Sequence, residues 1–104
     1  MQKTFINLTP HAINFTNGLT VPPSGTVARC RVQQQEIGEI NGVPLYRAVY
    51  GEVEGLPKVQ DGVIYIVSSL VAGRLPERGD LVVPCNFVRD EKGRIIGAGG
   101  IQRI

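Results

Sequence analysis

The chain has no tryptophan, one histidine, two cysteines, three tyrosines and three phenylalanines among its 104 residues. Each scarcity excludes a class of chemistry. A structural zinc needs four Cys or His ligands, and the chain offers only His11, Cys30 and Cys85, no two of them close in sequence. No metal site is expected, nor any other cofactor. The cysteines form no CxxC motif, and one pair cannot make the disulfide framework of a small secreted module. They read as reduced, small packing residues. A lone histidine also starves a serine-nucleophile triad, and no GxSxG elbow surrounds Ser68 or Ser69. No GxxxxGK[ST] loop appears, which excludes an ATP-hydrolysing P-loop. The chain is expected not to be an enzyme.

Charge and long hydrophobic runs are scarce as well. The net charge of +2 lacks the clustered basic excess of a dedicated nucleic-acid binder. No run of 18 apolar residues could serve as a spanning helix. The first residues, Met1 to Phe5, show neither a continuous apolar segment nor a small-residue cleavage site, so no signal peptide is read there. A cytoplasmic protein that does not engage membranes is the expectation.

What is present is punctuation. There are 13 glycines and 7 prolines in a chain that is 42% hydrophobic, and apolar residues recur with period 2 rather than 3.6. Strands are predicted over residues 3–8, 11–16, 19–21 and 26–32. Asn17-Gly18 is read as a two-residue hairpin turn and Pro22-Pro23-Ser24-Gly25 as a stiffer turn. The segment Gln33-Gln34-Gln35-Glu36 has no apolar face and is read as a solvated strand end or loop tip. A second Asn-Gly, at Asn41-Gly42, joins residues 37–40 and 43–53 into a long hairpin. Val63-Ile64-Tyr65-Ile66-Val67 is apolar without alternation, the pattern of a central strand covered on both faces. Ser68-Ser69 precedes residues 70–74, where a serine N-cap can start one or two helical turns. A strand over 81–83 is expected to stop at Pro84. Further strands follow at 87–89 and 94–96, and the small residues 97–100 precede a last strand. Short strands so spaced predict a single mainly-β domain over 1–104, barrel-like or of two antiparallel sheets, with one short helix.

Arginine outnumbers lysine eight to three, and guanidinium forks grip phosphates bidentately and stack on rings. Arg74, Arg78 and Arg89 fall in one third of the chain, beside the Ser68-Ser69 strand-to-helix junction, where backbone N–H groups and hydroxyls can meet an anion. The competing reading pairs the arginines with nearby Glu77, Asp80, Asp90 and Glu91. Tyr46 and Tyr50 share a strand face and can stack on a base or form a subunit contact. Glu52 and Glu54, two apart on a strand, read as an acid pair or as a solvated face.

Several stretches carry a resemblance. Asn7-Leu8-Thr9-Pro10-His11-Ala12-Ile13-Asn14, Pro22-Pro23-Ser24-Gly25, residues 49–57 (VYGEVEGLP), residues 64–71 (IYIVSSLV), Pro76-Glu77-Arg78 and residues 88–97 resemble a family of small proteins encoded by tailed phages, prophages and bacteria. The resemblance implies a stand-alone phage-context protein. By analogy it implies an anti-defence role, sequestering a cyclic nucleotide or an ADP-ribose-derived signal. Polar residues within or beside those stretches form the candidate ligand set: Asn7, Thr9, His11, Tyr50, Ser68, Ser69, Arg74 and Arg78. In this reading Ser68 and Ser69 hold phosphate, Arg74 or Arg78 neutralises it, and Tyr50 or His11 meets a base or ribose. The expected function is non-enzymatic binding of a small anionic, nucleotide-like ligand. Self-association is consistent with edge strands that need covering. The alternative is a protein–protein module or host-enzyme inhibitor presenting a hairpin edge.

Overall fold

The computed structural model describes residues 3–104. Its elements are mainly strands, with one short helix. The body is a four-stranded sheet, curled into a half-barrel, in the order β1 (Thr4–Asn7), β6 (Val63–Ile66), β7 (Leu81–Arg89), β8 (Ile95–Gln102). The ribbon of β2 (Ile13–Asn14) and β3 (Thr20–Val21) covers one face, and α1 (Ser69–Arg74) covers the other.

This layering explains the unbroken apolar run at 63–67. Tyr65 and Val67 point toward α1 and pack with Leu8, Val71, Ala72 and Leu81. Ile64 and Ile66 point the other way, to Val21, Val82, Ile13 and Phe15. Both faces of β6 are therefore core, as the missing alternation requires. Antiparallel pairing holds for β2–β3 and β7–β8, whereas β1–β6 and β6–β7 run parallel. Thr4 lies beside Val63 across that first parallel junction.

Three local expectations are corrected. Pro84 does not stop its strand, and β7 runs on to Arg89. Its pairing with β6 ends at Val82, so the missing N–H of Pro84 falls where that edge asks for no donor. The first Asn-Gly is not a two-residue type I′ turn, because only Gly18 has positive φ. Gly18 N–H donates to the Phe15 carbonyl and Phe15 N–H to that of Leu19, a three-residue loop with a glycine bulge. The small residues at 97–100 lie inside β8, where a side chain on Gly97 would stand 2.9 Å from the Asn14 carbonyl oxygen. They admit the protein's own backbone.

The remaining two strands leave the body. β4 (Arg29–Ile40) and β5 (Val43–Glu54) form an antiparallel hairpin of 12 residues on each side. Asn41 (φ 52°) and Gly42 (φ 79°) make its turn, with the paired left-handed geometry a type I′ turn requires. At a rise of about 3.4 Å per residue the arm is roughly 40 Å long. It stretches the molecule to 55 × 40 × 23 Å. The radius of gyration is 16.6 Å, against about 13 Å for a compact domain of this length.

Candidate functional site

The foot of the arm is where the sequence-predicted residues can be located. Asn7, 1% exposed, is committed to the fold. Its Nδ2 donates to the carbonyls of His11 (2.8 Å) and Val21 (3.1 Å), and its Oδ1 accepts from the Thr9 N–H (2.9 Å) and hydroxyl (2.6 Å). The amide thus ties β1, β3 and the 9–11 turn together. His11 is exposed and joins this knot only through its carbonyl.

Of the two serines, Ser68 is the N-cap of α1. Its Oγ accepts from the Val71 N–H at 3.3 Å. Ser69 opens the helix and is exposed. Thr9 and Ser68 line one cleft of about 350 Å³, with Leu8, Val27, Ala28 and Leu70.

Tyr50, Arg74 and Arg78 meet in a second, open cleft of about 590 Å³ beyond the C-terminal end of α1. The Arg74 guanidinium lies over the Tyr50 ring, 5.7 Å from its centroid. This cation–π contact is worth about 0.5–1 kcal/mol at an exposed site. Arg78 is bound twice to Asp80, at 2.8 Å each, and donates at 3.0 Å to the Pro57 carbonyl. That hydrogen-bonded pair holds the Asp80 carboxyl below its usual range and raises the Arg78 guanidinium. Arg78 therefore anchors the 55–62 loop, the structural alternative weighed from the sequence. Glu52 also lines this cleft.

Seven of the eight candidates thus divide among a structural knot and two clefts on either side of α1, and Ser69 lies exposed at the start of the helix, in neither cleft. The other arginine forks divide too. Arg94 pairs with Asp90, Arg31 with Glu54, Arg47 bonds Gln35 and Arg89 bonds the Gly93 carbonyl. Glu54 is thus engaged in an exposed ion pair rather than in an acid pair with Glu52. Among the described residues no group of three or more His, Cys, Asp or Glu side chains is placed to hold a metal, and both cysteines are free.

No family model, curated protein or solved structure matches the chain. Among the described residues no helix is long and apolar enough to cross a membrane.

The feature that sequence reading passed over is the surface of the arm. Gln33–Glu36 is not a tip but the middle of β4. Register assigns the faces, since paired residues share a side and successive pairs alternate. Val32 with Tyr50, Gln34 with Ala48 and Glu36 with Tyr46 lie on one face. Val49, Leu45 and the Ile40–Val43 pair lie on the other. Both faces are open: Tyr46 is 48% exposed, Ile40 59% and Val43 64%. The signal was there, because β5 carries apolar residues at odd and even positions alike, the pattern of a strand covered on both sides. Only the long β4–β5 pairing shows that the body reaches no further than its foot, at Val53 and at Tyr50 under Arg74.

Proposed function

We infer that the protein is a non-enzymatic interaction module and that the arm is its working surface. One observation carries this reading: eight large apolar side chains (Val32, Ile37, Ile40, Val43, Leu45, Tyr46, Val49 and Tyr50) are exposed on one two-stranded ribbon. A two-stranded hairpin is at best marginal in water, and large apolar side chains left open on both of its faces mark an interaction surface. Shared between the two faces, the eight residues give each side its own apolar area. The ends of the arm meet, Arg29 opposite Glu54, and Val53 near the foot packs on the body's core while the rest of the ribbon runs out from it.

A photo-crosslinking residue in place of Tyr46 tests this in cells producing the protein. A discrete covalent adduct is expected from that position and none from Glu91, in the exposed turn before β8. Equal labelling at the two positions, or no adduct at position 46, would overturn the reading.

A second reading, ligand sequestration in the phage context the resemblance implies, is favoured by Arg74 over Tyr50. A flat anion entering that cleft would find a ring and a guanidinium already together. Cyclic nucleotides and cyclic ADP-ribose isomers are the probes. A ligand at 100 times its Kd adds about 2.7 kcal/mol to stability. The resulting rise in melting temperature should vanish in Arg74→Gln.

A further inference from the structure

We propose that the partner of the arm is a second copy of this chain, paired antiparallel along the free edge of β4 about a two-fold axis at Gln34. The proposal rests on the reading of the arm as an interaction surface and names its occupant. Among the described residues β4 pairs with β5 alone, leaving its outer edge of N–H and C=O groups open. Natural edges are blunted by charge, proline or bulges. The β5 edge has such features: Pro44, Arg47, and an irregularity opposite Arg31. The β4 edge has no charge, proline or bulge from Val32 to Gln35, and Val32 to Glu36 are five residues in regular register bounded by an irregularity at each end. Gln34 is the middle residue of those five.

The chemistry at that centre suits self-pairing. A residue on a two-fold axis faces its own copy, so a charge there repels itself. Glutamine is uncharged, and its amide both donates and accepts. In this register Gln33 lies opposite Gln35 of the second copy, and Val32 opposite Glu36. The flanks are complementary. β4 is basic at its foot, with Arg29 and Arg31, and acidic toward its tip, with Glu36 and Glu39. Antiparallel pairing lays the basic half of each strand along the acidic half of the other. Parallel pairing would set like against like.

Beyond Glu36 the irregularity at Ile37 ends the regular ladder, and the antiparallel course still directs the apolar tip of each arm toward the foot of the other, near the cleft lined by Leu8, Val27 and Leu70. Each arm then reaches the foot of its partner, and the contact closes on itself without leading to a filament.

Sedimentation equilibrium of the full chain tests the proposal. The wild type is expected at twice the 11.3 kDa chain mass. Gln34→Glu and Gln34→Lys, each alone, should raise the dissociation constant at least tenfold, and mixing them should restore the double mass. Unchanged circular dichroism shows that both variants fold. A wild type of single-chain mass at 100 µM (about the upper range of such runs), or a dimer indifferent to both substitutions, overturns it. The crosslink at position 46 separates the two ideas. An adduct to a different protein, with a wild type of single-chain mass, removes the second copy and keeps the arm as an interaction surface. No adduct at all removes both.

Discussion

The Asn7 side chain joins segments that are far apart in sequence, and two backbone carbonyls and one N–H depend on it. Truncation leaves groups unpaired next to the core, at about 1–3 kcal/mol for each one that water cannot reach. Asn7→Ala should therefore lower the melting temperature by roughly 10 °C or more, with or without any ligand. Ser68→Ala should cost only about 1 kcal/mol, the value of a helix cap. Asp80 makes a different prediction. Its carboxyl, held low mainly by the hydrogen bonds from Arg78, takes up a proton less readily folded than unfolded. The resulting stability is complete at pH values above the unfolded carboxyl's pKa, about 4, and is lost as pH falls through the lower folded value. In Asp80→Asn that acid-limb loss should shrink, and neutral-pH stability should drop by about 2–4 kcal/mol because Arg78 loses its countercharge. Chemical denaturation from about pH 2, below the carboxyl titration, up to about pH 7 measures both. That Asn7 is structural was not legible in the sequence, since its partners are backbone groups brought in by the β1–β3 approach.

Elements with local causes were legible. Asn41-Gly42 marked the long hairpin, the Ser68-Ser69 pair the helix start to within a residue, and the apolar run at 63–67 the central strand. Parallel pairing of β1 with β6 was not, because no nearby residue encodes a partner almost sixty positions away. Neither was the continuation through Pro84, which depends on where β6 ends. The arm's independence can be checked as an element. Its strands enter and leave side by side, and Gly55, at φ 80°, passes so close to Val27 that a side chain would stand 2.5 Å from that carbonyl oxygen. Replacing residues 33–49 by an Asn-Gly turn between Val32 and Tyr50 should leave the body cooperatively folded, with a melting temperature within a few degrees of that of the wild type. Gly55→Ala should destabilise the body by more than about 1 kcal/mol, since both φ and space forbid the methyl. Thermal melts of the two variants rank them.

For the whole molecule, stability should come in two tiers. Hydrogen exchange reports local opening. Amides of β6, enclosed by a strand on each edge and a layer on each face, should exchange only with global unfolding. In Gln34→Glu, freed from a partner, arm amides near the turn should exchange orders of magnitude faster. In the wild type, protection should return selectively to the outward-facing amides of Val32–Glu36.

The placement of the arm between β1 and β6 also sets an order of events in time. During synthesis β1 emerges before the arm, and its partner β6 follows only with residues 63–66. The arm lies wholly in between, and its two strands are joined by a two-residue turn, so it needs only local closure, a microsecond process, against synthesis at about 5–20 residues per second. The two strands of the ribbon therefore meet while the half-barrel is still unbuilt, as a hairpin that alone is marginal in water. On a message carrying several ribosomes, a partner that recognises the arm can hold it together before folding ends.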